Sequence, residues 1–321
     1  MRFTMAPLEG ITGYLFRNAH AAVFGPADKY MTPFLSPTQS MCFSPRELRD
    51  VTPEHNEGLN IVPQLLANNA DNFLWAAREL EAMGYREINL NLGCPSGTVT
   101  SKGKGSGFLA HPEELDRFLD AIYSQLDLTI SIKTRVGKTS PEEFAGLLEI
   151  YNRYPVSELT IHPRIQTDFY KGSPRMETFK DALARSRAPL CYNGDIFSPA
   201  HLAAFSAKYP QVDHVMVGRG IVANPALIRQ LQGGAPAAKE EIRAFHDELY
   251  RGYCQIMPGT KAILAKMKEL WAYLSFSFTN RDKAAKPIRK ASRLPDYEAA
   301  VAQLFREQEV IPSGTFDPKS F

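Results

Sequence analysis

Apolar runs of four to six residues alternate with stretches of helical periodicity through residues 1–231. The runs are Arg2–Met5, Asp28–Pro33, Asn60–Leu65, Glu87–Leu92, Thr129–Lys133, Ser157–Ile161, Pro189–Tyr192 and His214–Val217. Their β-branched and aromatic content reads as strand. Between them, Asp71–Met83, Pro112–Gln125, Pro141–Tyr151, Met176–Arg185 and Pro199–Lys208 show the repeat of amphipathic helices. Start signals precede them: Asn69 or Asp71, His111-Pro112, Ser140-Pro141 and Ser198-Pro199. The connection over 34–59 is the least regular. Eight strands alternating with helices at this length match a (β/α)8 barrel of about 250 residues. A doubly wound open sheet would carry G-x-G-x-x-G after its first strand, where this chain reads APLEG.

The pattern then changes. Gln232–Ala238 is rich in Gly, Ala and Pro, and beyond it no strand-like run remains. Glu240–Met257, Thr260–Phe276, Arg281–Arg293 and Pro295–Gln308 all read as helices. The expected fold class is α/β: a (β/α)8 TIM barrel followed by a small C-terminal helical domain. The expected division is a barrel at 1–231, a linker at 232–239, a helical domain at 240–310 and a loosely ordered tail at 311–321.

Composition adds limits. Hydrophobic residues make up 44% and charged residues 22%, an ordinary globular balance. No run approaches the roughly 20 apolar residues of a membrane span. MRFTMAPLEG lacks the apolar core of a signal peptide. Cys42, Cys94, Cys191 and Cys254 form no C-x-x-C pair, so neither a disulfide framework nor a metal site is expected. A cytoplasmic monomer is the expectation. Net charge is only +2, but 261–293 hold nine basic residues against Glu269 and Asp282. That concentration suits nucleic acid.

A barrel carries its chemistry at the C-terminal ends of its strands. Those ends hold Gln64, Asn89 and Asn91, Lys133 and Arg135, His162, Asn193-Gly194-Asp195, and Gly218-Arg219-Gly220. Alone, each has a bland reading as a solvated or turn residue; their convergence is the signal. The stretch 89–107, NLNLGCPSGTVTSKGKGSG, presents Cys94 at the root of a glycine-rich, basic segment. It reads as a long mobile loop, and such loops are usually functional. Gly218-Arg219 suits a phosphate, since loops after the last two strands commonly bind one. Lys133 would lie deeper, against a planar anionic ring or a Schiff-base carbonyl.

APLEGITGYLFR, PQLLAN, INLNLGCPSG, SIKTRVG, TIHPR, YNGDI and VMVGRGIVANP occur in this order, each at a predicted strand end. With them the chain resembles the tRNA-dihydrouridine synthases, flavin enzymes that reduce uridines of tRNA. The resemblance implies FMN in the barrel mouth, NADPH as reductant and tRNA as partner. It implies that hydride passes from flavin N5 to uracil C6 while Cys94 protonates C5. It places Pro7 and Leu8 along the flavin, Gln64 at its pyrimidine edge and Lys133 at its N1–O2 side. His162, Asn193, Gly194, Asp195, Gly218 and Arg219 would hold the ribityl chain and phosphate. Asn91 and Arg135 would face the uracil, while Lys266, Lys268 and Arg289 would contact tRNA phosphates. The chain departs from the family pattern at Gly13, where an aspartate is usual, at His162-Pro163-Arg164-Ile165, where H-G-R-T is usual, and in MTPFLSP.

Three rivals stand beside this reading. One is an FMN barrel oxidoreductase acting on a small molecule such as dihydroorotate or an enone. Another is a Schiff-base aldolase using Lys133. The third is a catalytically silent RNA-binding barrel. Among the C-terminal aromatics, Trp271, Tyr273 and Phe276 read better as core than as base-stacking groups, and Ile263, Met267, Leu270 and Leu274 as a buried stripe.

Overall fold

Every predicted strand is present, with ends shifted by a few residues. They are β1 (Arg2–Met5), β2 (Lys29–Met31), β3 (Ile61–Val62), β4 (Gln64–Leu65), β5 (Glu87–Leu92), β6 (Thr129–Arg135), β7 (Leu159–His162), β8 (Leu190–Tyr192) and β9 (His214–Val217). The computed structural model describes residues 1–312, 314, 316 and 317. The strands form one parallel sheet in the order β3-β2-β1-β9-β8-β7-β6-β5-β4. Its two outer members, β3 and β4, are a single run of chain interrupted at Pro63, which has no N–H for the ladder. β3 pairs with β2 and β4 pairs with β5, so the sheet closes on itself there. The Pro63 carbonyl still accepts from the Asn89 N–H at 2.8 Å. The fold is thus a (β/α)8 barrel with a helical C-terminal region.

The chain forms two compact units. The first comprises Met1–Pro7, Lys29–Asp195 and Gln211–Met216. It holds the barrel strands and the helices Pro45–Val51, Ala70–Ala82, Pro112–Tyr123, Glu143–Tyr151 and Met176–Arg185. Inside the barrel, Ala6, Met31, Val62, Cys191 and Met216 form one buried apolar cluster. Toward the N-terminal end of the strands lies a polar brace. His214 is bonded at both ring nitrogens, Nδ1 to Glu158 Oε2 at 2.5 Å and Nε2 to Thr4 Oγ1 at 2.7 Å. With Cys191 these groups include the metal-ligand types that come together among the described residues. The histidine's nitrogens are already engaged, and burial pushes the Cys191 thiol well up, so the brace is structural.

The second unit comprises Leu8–Asp28, Ile196–Pro210 and Val217–Phe321. The helix Tyr14–Phe24, which the hydrophobic pattern does not single out, packs Phe16 and Phe24 edge-on against Phe245, at 5.3 and 5.6 Å. Phe245 lies on the helix Lys239–Ile256. Next in order come Thr260–Leu274, Arg281–Lys290 and Leu294–Glu307. Ile263, Met267, Leu270 and Leu274 are buried, as the stripe requires, and Trp271 and Phe276 are core, whereas Tyr273, expected with them, is only half-buried and stacks on Phe316 at 6.0 Å. The Trp271 indole N–H donates to the Tyr297 hydroxyl at 2.9 Å. Of the expected loose tail, residues 313, 315 and 318–321 lie outside the described residues. The others are tied down: the Ile311 N–H donates to Ser277 O at 2.8 Å, and Phe316 meets Phe197 edge-on at 4.9 Å. No helix among the described residues is long and apolar enough to cross a membrane.

Candidate active site

Strand register builds the site. Paired residues of neighbouring parallel strands point to the same face, and alternate residues of one strand share it. Gln64 pairs with Asn89 and Asn89 with Ser131; Asn91 pairs with Lys133 and Lys133 with Thr160; Arg135 pairs with His162. The polar side chains therefore line the barrel interior, while Ile88, Leu90 and Leu92 are buried on the other face of β5. The Gln64 amide donates to Asn89 Oδ1 at 2.8 Å, and Asn89 in turn donates to Ser131 Oγ at 3.0 Å. Asn91 Nδ2 donates to Gln64 Oε1 at 2.7 Å. This chain fixes the orientation of each carboxamide before any ligand arrives.

Asn91 links the barrel to Cys94. Its Oδ1 accepts from the N–H groups of Gly93 and Cys94, both at 3.0 Å, so the turn that presents the thiol is held by the strand beneath it. One Asn91 amide hydrogen remains beyond these bonds. The segment after Cys94 is not the mobile loop that its composition suggests. It folds as a short helix, Gly97–Thr100, and a 3-10 helix, Gly105–Ala110, with Gly105 to Leu109 buried. Ser106 Oγ donates to Cys94 O at 2.8 Å. Gly105 has φ +58, and a Cβ there would lie 2.8 Å from Cys94 O and 3.1 Å from Cys94 Cβ. This glycine serves close approach, not flexibility. Phe108 anchors the segment edge-on to Phe118 at 5.5 Å, and Lys104 Nζ reaches Ser36 Oγ at 3.2 Å.

Lys133 has no hydrogen-bond or ion-pair partner among the described residues. Burial, followed by the neighbouring Arg135 guanidinium, lowers its pKa to about 8. Arg135 Nε donates to Gly93 O and its NH1 to Ile165 O, both at 2.9 Å, joining the Cys94 turn to the segment after β7. The fully buried Arg164 lies in the TIHPR motif but has no role assigned to it from sequence. Its guanidinium donates to His162 Nε2 at 3.1 Å and grips Asp195 at 3.0 and 2.6 Å. An arginine only donates, so the Nε2 of His162 accepts and the ring proton sits on Nδ1. A signal was present: a basic residue two positions after a strand-end histidine. Asn193 Nδ2 donates to Met216 O at 3.0 Å, and a Cβ on Gly194 would overlap the Tyr192 ring, at 2.0 Å from its hydroxyl oxygen.

Gln64, Asn91, Cys94, Lys133, Arg135, His162, Asn193, Gly194 and Asp195 thus belong to one unit, as does Pro7. Leu8, Gly218 and Arg219 belong to the other. There the Leu8 N–H donates to Thr12 Oγ1 at 2.8 Å, and the Arg219 guanidinium stands over the rings of Phe197 and Phe316. Gly13 caps the helix Tyr14–Phe24 without a side-chain bond. In the same unit Lys266, Lys268 and Arg289 line one surface groove of about 670 Å³ with Met257, Ala262, Ala265 and Glu269. Lys266 is paired with Glu269 at 2.6 Å, Lys268 donates to Ala291 O at 2.6 Å and Arg289 to Asp282 O at 3.1 Å.

A model of the dihydrouridine synthase (Dus) family matches residues 4–309. The tRNA-dihydrouridine synthase B of Shewanella oneidensis is 29% identical over 230 residues, covering 71% of this chain and 70% of that protein. A probable tRNA-dihydrouridine synthase of Staphylococcus epidermidis is 30% identical over 232 residues, covering 70% and 69%. Among solved structures, the old yellow enzyme homologue from Zymomonas mobilis superposes with a TM-score of 0.53 at 15% identity, covering 76% of this chain and 92% of that one. The old yellow enzyme from Trypanosoma cruzi gives 0.50 at 11% identity, covering 72% and 88%. At these identities the structural likeness shows the barrel fold alone.

Proposed function

The chain belongs to the dihydrouridine synthase family, and from that premise we propose that it reduces uridines of tRNA to 5,6-dihydrouridine with FMN and NADPH. The observation that carries the site assignment is the bonded row Gln64–Asn91–Cys94 beside the unpaired ammonium of Lys133. A half-buried lysine without a partner fits an anionic ring, because a nearby negative charge restores the protonated form that burial disfavours. Gln64, whose second amide hydrogen is engaged only by a long 3.9 Å contact to the Met31 sulfur, suits the pyrimidine edge of the flavin. Pro7 and Leu8 are assigned to its sides. His162, Asn193, Gly194, Asp195, Gly218 and Arg219 are assigned to the ribityl chain and phosphate. Bound FMN would supply hydride for C6 of the uracil, with NADPH as the source of its electrons.

The chain's own residues do the rest. Cys94 delivers a proton to C5 as the general acid. Asn91 and Arg135 fix the Cys94 turn and turn their remaining donors toward the developing charge on the base oxygen. Lys266, Lys268 and Arg289 offset the cost of unstacking the base by binding phosphates elsewhere on the RNA.

The test separates two half-reactions by stopped flow. Cys94→Ala is expected to bind flavin and accept electrons from NADPH as the wild type does. Its reoxidation by tRNA should slow by about 10² to 10⁴-fold. Wild-type reoxidation rates in the variant would remove Cys94 from the chemistry. A lysine near 8 would also suit imine formation. Borohydride trapping of a carbonyl substrate on Lys133 in flavin-free protein would favour the aldolase reading instead.

A further inference from the structure

We infer that Phe169 is a stacking platform for an unpaired RNA base next to the uridine that enters the barrel mouth. The inference rests on the function proposed above. The Lys171 N–H donates to Asp168 O at 2.8 Å, which closes a turn over residues 168–171. Phe169 sits at its first central position with φ 52 and ψ −99. That is close to the corner of a type II′ turn, where glycine is the favoured residue. A large side chain in this conformation is strained.

The strained backbone does not carry the ring into the core. Phe169 is 49% exposed, and its ring has no aromatic or cationic partner among the described residues. The turn is nevertheless held firmly. Asp168 pairs with Arg175 and accepts from the Ile165 N–H at 3.0 Å, and the buried Arg164 donates to the carbonyls of Lys171 and Gly172. The turn also sits at the rim of the site. The adjacent Tyr170 ring lies 5.6 Å from the Arg135 guanidinium carbon and 6.0 Å from the His162 ring. A rigid, exposed aromatic beside a cationic mouth is the chemistry that binds unstacked bases. A uridine leaving its stack uncovers the face of its neighbour, and Phe169 offers a replacement surface.

The test uses full-length holoprotein and tRNA that lacks dihydrouridine. Phe169→Ala and Phe169→Leu should raise the tRNA concentration for half-maximal flavin reoxidation by about 5- to 150-fold, the range for loss of one base stack. Phe169→Trp should keep the wild-type value. Phe169→Gly should show the same weakened tRNA binding yet melt at a higher temperature, because glycine suits the turn. Wild-type tRNA dependence in Phe169→Ala and Phe169→Leu would overturn the inference. So would a lower melting temperature in Phe169→Gly, which would make the ring a structural prop. Failure of the wild-type protein to use any tRNA would instead overturn the reaction on which the inference rests.

Discussion

Lys133 shows how much one side chain reports about its site. Its ordinary pKa is 10.5, and in the folded chain it falls to about 8. Between these values the unfolded chain binds the proton and the folded chain does not. Stability of the flavin-free protein should therefore rise with pH from about 8 to about 10.5, the penalty being fully present below 8. Lys133→Met should abolish that rise and stabilise the flavin-free protein at neutral pH. On the proposed reading the same substitution should weaken flavin binding, since the ring would lose its cation. Denaturant titrations across this pH range, with and without FMN, measure both effects. A flavin-free stability curve identical to wild type would show that Lys133 is not desolvated.

At the scale of elements, the segment 93–110 decides how Cys94 is held. Gly105→Ala places a Cβ 2.8 Å from Cys94 O and 2.9 Å from a Val99 methyl, in a backbone conformation unsuited to alanine. Destabilisation of roughly 1–3 kcal/mol is expected from such a clash. The tRNA half-reaction should slow while reduction by NADPH persists, which stopped flow resolves. A variant with unchanged stability would mean that the segment yields easily. The helix Tyr14–Phe24 poses the opposite case. Gly13 leaves its N-cap without a side-chain acceptor, and its extended ψ of 178 suits serine. Gly13→Ser should raise stability by a few tenths of a kcal/mol.

At the scale of the whole molecule, a net charge of +2 offers little general attraction for RNA. On the proposed reading, binding would come from local clusters, and the groove of Lys266, Lys268 and Arg289 is the candidate. Lys266 is largely compensated by Glu269, so Lys268→Ala and Arg289→Ala are the sharper probes. Each should flatten the plot of log tRNA affinity against log salt by about 0.7 to 0.9. Unchanged slopes in both would place the tRNA elsewhere. Truncation at 239 is a poorer probe, because it would strip Phe16 and Phe24 of Phe245 within their own unit.

The strands, the barrel and the inward polar row are legible in the sequence because they rest on local patterns. A two-residue repeat puts Asn89 with Asn91, and Lys133 with Arg135, on one face whatever surrounds them. The charged stretch 261–293 and the buried stripe of Ile263, Met267, Leu270 and Leu274 are local in the same sense. The tertiary structure alone decides where a residue type has two physical uses. Gly105 is written like a flexible loop residue but serves contact with Cys94. Asn91 can face a ligand or brace a turn, and only the positions of Gly93 and Gln64 show the brace. Arg164 reads as a solvated charge until Asp195, thirty-one positions away, is found against it. Nothing local marks Phe169, and its exposure and positive φ show only in the fold, where ties to Arg164 and Arg175 hold the turn. Periodicity is a property of neighbours along the chain; burial, close approach and ion pairing are properties of neighbours in space.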